Sequence, residues 1–267
     1  MTRVKCGVVG DPIAHSLSPV LHRAGYAAVG LDWEYDATLV PAGELARFVA
    51  GLGEEWRGLS VTAPLKREAL ILADVLSDRV RLVGAANTLL MTSGEVHADN
   101  TDLPGAVAAI RERYTGTIEA ALILGAGATA ASTGLALAEL GAGRIAIAAR
   151  SASRASDTVA AIAGHPSRPQ VRVLDLATVE LEDEDIVVST VPTVAQTRGL
   201  VSRVGGVGVL FDVLYDPWPT PLAQAATRTL VSGLDLLVHQ AALQFTAFTG
   251  VAAPLTAMRA AGGAALR

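Results

Sequence analysis

Short runs of β-branched and aliphatic residues alternate with longer Ala- and Leu-rich amphipathic stretches along nearly the whole chain. That alternation is the pattern of βαβ units built around parallel sheets. The first run, Val4 to Val9, precedes a loop and a helix predicted from about Pro19 to Val29. Ser18 before Pro19 pairs a side-chain cap with proline at the first helical position. Trp33 to Leu39 predicts a strand, Pro41 to Gly51 a helix, Gly58 to Val61 a third strand and Leu65 to Ala73 another helix. Ala86 to Met91 and Glu95 to Ala98 flank Thr92-Ser93-Gly94 and predict a hairpin. A helix from Asp102 to Tyr114 then opens a new series, with strands near Ala120 to Leu124, Ile145 to Ala149, Val171 to Leu174, Ile186 to Ser189 and Val207 to Phe211. A last helix, Leu236 to Thr249, has no strand after it, which returns it to the first domain. The acidic stretch Glu180 to Asp185 reads as a solvated turn.

The expected fold is therefore α/β with two domains. Residues 1–101, completed by 237–267, are expected to form one α/β domain, and residues 102–236 a second with a Rossmann-type pattern. Composition narrows the function. With 51% hydrophobic and 18% charged residues the chain can bury a core. A net charge of -5 without any Lys/Arg block excludes nucleic acid as the main partner. Ala120 to Ala138 is uncharged and long enough to span a bilayer, but Gly125, Gly127, Thr129, Ser132, Thr133 and Gly134 divide it into strand, turn and helix. No membrane partner is expected. The single cysteine, Cys6, lies inside an apolar run and reads as a small buried hydrophobe in a reducing compartment, so a cytoplasmic location is expected. The five histidines form no i,i+4 pair, and no metal site is expected. The composition suits a monomer or a homodimer.

The strand Ala121 to Leu124 runs into Gly125-Ala126-Gly127-Ala128-Thr129-Ala130, a GxGxxA sequence that opens a helix. Gly125 serves a tight turn, Gly127 lets the backbone approach a pyrophosphate, and Ala130 allows close packing of helix on strand. An ordinary Gly-rich strand-to-helix turn is the alternative. About twenty residues on, where an NAD-selective fold places an acid, the chain reads Ala148-Ala149-Arg150-Ser151, with Arg154 one turn later. Arg150 offers a planar fork to a 2′-phosphate and Arg154 a second positive charge, so NADP(H) is the expected cofactor.

Lysine is nearly absent: of 21 Lys and Arg residues only Lys5 and Lys66 are lysine. A retained lysine suits proton transfer, because an ammonium can give up its proton whereas a guanidinium stays charged. Lys66 follows Leu59-Ser60-Val61-Thr62-Ala63-Pro64-Leu65, where a strand ends and a helix begins. Open α/β sheets place their ligands at such strand ends.

These residues form part of a larger resemblance. His15-Ser16-Leu17-Ser18-Pro19, Ser60 to Lys66, Gly84-Ala85-Ala86-Asn87-Thr88, Asp99-Asn100-Thr101-Asp102, Tyr215-Asp216-Pro217-Trp218-Pro219-Thr220-Pro221 and Ser232-Gly233-Leu234 to His239-Gln240-Ala241-Ala242 follow one another as in the shikimate dehydrogenase family, which the chain resembles over essentially its whole length. The resemblance implies NADP-dependent, reversible reduction of 3-dehydroshikimate to shikimate, with residues 1–101 and 237–267 as the substrate-binding and catalytic domain and residues 102–236 as the Rossmann-type NADP-binding domain. It implies that Lys66 and Asp102 form the catalytic pair and that Ser16 and Ser18 bind the substrate carboxylate. Thr62, Asn87 and Gln240 are then the contacts to ring hydroxyls, Tyr215 a further substrate contact, and Gly233 a cofactor contact. Several positions depart from the family pattern. Ser60 stands where Asn is common, Leu65 where Phe is common, and the dinucleotide loop has Ala where a further Gly is frequent. A quinate or aminoshikimate dehydrogenase shares the same chemistry, and a catalytically silent nucleotide-binding paralogue shares the fold.

Overall fold

In a computed structural model describing residues 3–266, the chain divides into two compact units. One takes the chain through Thr101 and resumes at Leu237, and the other is Asp102–Leu236. The first unit begins β1 (Lys5–Gly10), α1 (Ser18–Val29), β2 (Glu34–Leu39), α2 (Leu45–Ala50), β3 (Trp56–Val61), α3 (Lys66–Leu72), β4 (Val75–Leu76), α4 (Asp78–Val83), β5 (Thr88–Thr92) and β6 (Glu95–Asp99). Its sheet has the order β2-β1-β3-β5-β6-β4. β1 is parallel to both β2 and β3, whereas β5 is antiparallel to β3 and to β6. The β5–β6 hairpin turns on Ser93 and Gly94, with φ of 54° and 85°. This is the left-handed pair that a two-residue hairpin requires.

The second unit holds α5 (Asp102–Arg113), β7 (Ala120–Leu124), α6 (Ala128–Glu139), β8 (Arg144–Ala149), α7 (Ala152–Ala163), β9 (Gln170–Asp175), β10 (Ile186–Ser189), α8 (Arg198–Val204), β11 (Val209–Asp212), α9 (Pro221–Ala225) and β12 (Thr229–Val231). Every pairing in its sheet is parallel, in the order β12-β11-β10-β7-β8-β9. The direction of winding reverses between β7 and β10, and open α/β sheets bind ligands in the crevice at such a reversal. The chain then enters α10 (Gly233–Thr249) and α11 (Leu255–Ala265), the latter packed on α1. No described helix is long and apolar enough to cross a membrane.

The period-two pattern of β3 shows how the first sheet is used. Leu59 and Val61 face one core with Val9, Leu45, Leu65 and Leu89. Each such fully buried aliphatic contributes about 1.5–3 kcal/mol. Gly58 and Ser60 face the opposite layer, where a Cβ on Gly58 would lie 2.3 Å from the Phe248 ring. Cys6 is buried as expected, and burial pushes its thiol up to about 11.

Four sequence expectations are corrected. Ser18 does not cap α1 with its side chain: Leu17 is the N-cap, and the Ser18 N–H instead donates to Ser16 Oγ at 3.4 Å. The helix expected from Pro41 starts only at Leu45, because Pro41 to Glu44 form a turn with Gly43 at φ 86°. Glu180 to Asp185 is more than a solvated turn. Glu184 is buried and pairs with Arg172 at 3.3 Å, while Asp185 Oδ2 accepts the N–H groups of Glu119 and Ala120 at 2.7 and 3.1 Å, which anchors the start of β7. The helix expected from Leu236 begins at Gly233 and is not the last. Its early start comes from a reciprocal cap in which Ser232 Oγ accepts the Asp235 N–H at 3.2 Å and Asp235 Oδ2 accepts the Ser232 N–H at 3.0 Å.

Candidate functional site

In the first unit, the ends of β1 and β3 and the segment before β5 converge. Thr62 N–H donates to Val9 O at 2.9 Å, and Asp11 N–H donates to Ala63 O at 3.0 Å. The approach is close enough that a Cβ on Gly10 would sit 2.3 Å from Thr62 Cγ2. On the other side Val61 N–H donates to Asn87 O at 2.7 Å, and Ala86 N–H donates to Lys66 O at 2.9 Å. Lys66 is the first residue of α3 and is half-buried, as are Ser16 and Thr62, whereas Ser18 is buried. The structure thus gathers the loops bearing Ser16, Ser18, Thr62, Lys66 and Asn87 at one end of the sheet.

Behind these loops lies a buried polar layer. Asn87 Nδ2 donates to Thr101 Oγ1 at 2.9 Å and to Gln240 Oε1 at 3.4 Å, and Asn87 Oδ1 accepts the Thr101 N–H at 2.8 Å. Thr101 is the residue bonded covalently to Asp102, so Asn87 fixes the chain immediately before the aspartate. Gln244, one turn beyond Gln240 on α10, accepts from Ser60 Oγ at 2.7 Å and donates to Asn87 O and Thr88 Oγ1, both at 3.0 Å. Tyr35 Oη lies 2.5 Å from Ser60 Oγ, and burial pushes the Tyr35 phenol well above its ordinary value. Its ring stacks on His22 at 4.1 Å. Neither His22 nitrogen has a hydrogen-bond partner among the described residues, and burial pulls the imidazole down to about 3.

The second unit carries the dinucleotide loop at the reversal point. Gly125 has φ 109°, and a Cβ there would meet Thr190 Oγ1 at 2.3 Å, so the turn after β7 requires glycine. At Gly127, by contrast, no described atom beyond its immediate chain neighbours lies within 4 Å of an added Cβ. The absent side chain leaves space for a ligand, as the approach of a pyrophosphate to the start of α6 requires. Ala128 opens α6, Thr129 follows, and Ala130 is fully buried. Gly125, Ala126 and Gly127 line a cavity of about 320 Å³ with Arg150, Arg154 and Thr190. Both arginines are exposed at its rim and no acidic residue lines it. The donor set and the shape fit NADP(H).

Asp102 is buried and opens α5. Tyr215 is half-buried in the loop after β11. That loop is held at both ends by Asp212, which accepts from Leu214 N–H at 3.2 Å and from Thr220 Oγ1 at 2.6 Å. Gly233 is buried, and a Cβ there would lie 2.3 Å from Leu214 O, so its lack of a side chain answers to this loop. Gln244 and Tyr35 are the buried partners of the site that motif reading leaves unassigned, and they meet at Ser60, the first residue of the Ser60 to Lys66 motif. The four-residue spacing of Gln240 and Gln244, which puts two amides on one helix face, is the sequence signal for Gln244 alone.

Two regions of the chain match family descriptions: residues 8–89 the shikimate dehydrogenase substrate binding domain, and residues 233–261 the shikimate 5′-dehydrogenase C-terminal domain. The chain is 37% identical over 263 residues to the shikimate dehydrogenase (NADP(+)) of Caulobacter vibrioides, covering 92% of this chain and 90% of that relative. It is similar in structure to the shikimate dehydrogenase of Mycobacterium tuberculosis, with a TM-score of 0.86 at 41% identity over 98% of this chain and 99% of the other. It is also similar to the quinate dehydrogenase of Corynebacterium glutamicum in complex with NAD, with a TM-score of 0.89 at 26% identity over 98% and 99% of the two chains.

Proposed function

The chain belongs to the shikimate dehydrogenase family, and from that membership we propose that it catalyses the reversible reduction of 3-dehydroshikimate to shikimate with NADP(H). The observation that carries the reading is the convergence of Lys66 with Ser16, Ser18, Thr62 and Asn87 at one sheet end, backed by the Asn87–Gln240 amide pair. A small polyol acid needs such a set: hydroxyls for its carboxylate and amides for its ring hydroxyls. Buried polar groups of this kind are left unpaired by an analogue that lacks a hydroxyl, which makes the site selective. Residues through Thr101 and from Leu237 are the substrate-binding part, Asp102–Leu236 is the dinucleotide-binding part, and Tyr215 is a further substrate contact.

Bound NADPH supplies the hydride. Lys66 stabilises negative charge on the substrate oxygen and donates the proton it needs, and Asp102 orients the ammonium. In the oxidative direction the proton returns to the pair. On the cofactor side the backbone from Gly125 to Ala130 and Gly233 hold the dinucleotide, with Arg150 and Arg154 on the 2′-phosphate. Charge-assisted hydrogen bonds of this kind contribute about 1.5–3 kcal/mol. Arg150→Ala is therefore expected to raise the KM for NADP+ about 10- to 100-fold with little change for NAD+. Equal increases for both cofactors would remove Arg150 from the 2′-phosphate site.

A second reading, oxidation of quinate with NAD+, draws support from the likeness to the Corynebacterium glutamicum enzyme. The arginines and the absence of an acid at the cavity rim weigh against its cofactor. Reduced-nicotinamide absorbance with shikimate or quinate, each with NADP+ or NAD+, separates the two. Shikimate with NADP+ is expected to give the highest kcat/KM. Quinate with NAD+ as the best pair would replace the first reading by the second.

A further inference from the structure

A primary amide can offer either its oxygen or its nitrogen to a ligand, so a site built from amides needs something that decides which end faces where. In the first unit two groups of fixed character start that decision. The carbonyl oxygen of Asn87 can only accept, and it takes the Val61 N–H at 2.7 Å and Gln244 Nε2 at 3.0 Å. Gln244 must therefore turn its nitrogen toward Asn87 and its oxygen toward Ser60 Oγ, 2.7 Å away. The same Nε2 donates to Thr88 Oγ1 at 3.0 Å, which leaves the Thr88 proton directed at Asn87 Oδ1, 2.8 Å away. Oδ1 also receives the Thr101 N–H, the second group of fixed character. The nitrogen of Asn87 is left for Thr101 Oγ1 and Gln240 Oε1, and the nitrogen of Gln240 is turned to Leu237 O at 3.0 Å. Because Ser60 donates to Gln244, the proton between Tyr35 and Ser60 belongs to Tyr35. All donors thus run in one direction from Tyr35 to Gln240.

We propose that Gln244 is a positioning residue that, together with the Thr101 N–H, holds the amide orientation of Asn87 and Gln240, and with it the donor and acceptor pattern offered to the hydroxyls of a small cyclic polyol acid. The substrate part of this inference rests on the function proposed above, whereas the orientation part rests on geometry alone. Gln244 is 1% exposed and its two polar atoms are committed to protein groups, so it acts through Asn87. An apolar side chain of similar length leaves Thr88 free to reverse its hydroxyl, and the oxygen end of Asn87 then loses one of its inward donors.

The test combines kinetics with a direct view of the amide. Gln244→Met preserves length and apolar packing, and Tyr35→Phe is a milder variant that keeps the ring and removes the phenol that donates to Ser60. Gln244→Met is expected to raise the KM for shikimate about tenfold, with kcat and the KM for NADP+ little changed. Combined with Asn87→Ala, it is expected to add nothing to the KM of Asn87→Ala alone, whereas a residue that only stabilises the fold gives additive effects. The side-chain NH2 resonance of Asn87, assigned by its loss in Asn87→Ala, is expected to shift and to exchange faster in Gln244→Met, and to a smaller degree in Tyr35→Phe. An unchanged resonance, or additive KM effects, would overturn the proposal. A wild-type protein that turns over no shikimate, but whose Asn87 resonance responds to Gln244→Met, overturns the substrate reading and leaves the positioning role standing.

Discussion

Replacing Lys66 with alanine is expected to lower kcat about 10³-fold while leaving the KM for NADP+ within about twofold of wild type. The loss is large because one side chain is assigned two tasks at the same atom. As the substrate carbonyl is reduced, its oxygen gains negative charge that an adjacent ammonium stabilises, and the same ammonium supplies the proton that completes the alcohol. A 10³-fold loss corresponds to about 4 kcal/mol of transition-state stabilisation. Lys66→Arg separates the two tasks, because guanidinium keeps the positive charge but does not give up a proton at working pH. It is therefore expected to remain at least about 10²-fold below wild type, although its charge is intact. Position supports the assignment: Lys66 stands at the first turn of α3, its carbonyl holding the Ala86 N–H beside Asn87. Steady-state rates from reduced-nicotinamide absorbance decide the matter. An alanine variant within tenfold of wild-type kcat would remove Lys66 from the chemical step.

What the sequence revealed and what it concealed follow from how locally each feature is encoded. Strands buried on both faces, such as β7 and β10, read as unbroken apolar runs and were legible with their bounds unchanged. The glycine loop was legible because its demands are backbone demands: φ 109° at Gly125 and open space at Gly127 are properties of single residues. Short elements such as β4, α9 and β12 fall below the length at which a period can be counted, and tertiary pairing alone defines them. Ser18 marks the start of α1, yet its side chain does not cap the helix: Leu17 O takes the Leu21 N–H and Ser18's own N–H goes to the Ser16 hydroxyl, pairings set by loop geometry rather than by composition. The Tyr35–Ser60–Gln244 layer was hidden for a different reason. Its members are separated by 25 and 184 residues along the chain, so only the fold brings the three polar groups to one place.

That same layer makes acid pH the most informative stress on the first unit. His22 is fully buried between the Tyr35 ring, stacked at 4.1 Å, and the rings of Tyr26, Phe245 and Phe248. Burial lowers its value to about 3, and the nearby Gln244 amide opposes this only in part. The titratable groups around it are Tyr26 and Tyr35, both raised by burial and both neutral in acid, so neither offers a charge to an imidazolium. In the unfolded chain His22 titrates near 6.5, whereas in the folded chain it stays neutral until about 3. Between these values the unfolded state binds one more proton than the folded state. Stability is therefore full above about pH 6.5, falls by about 1.4 kcal/mol for each unit of acidification from this group alone, and levels off below about 3. His22→Leu removes the term and keeps an apolar side chain in the cavity. Urea unfolding at intervals from pH 7.5 to pH 4 is expected to show the wild type losing stability more steeply than the variant, the difference in slope approaching that figure below about pH 6. The comparison of slopes holds whether the substitution itself raises or lowers stability at neutral pH. Parallel curves would mean that His22 is protonated within the fold, and the buried layer from Tyr35 to Asn87 would then have to accommodate a positive charge at its base.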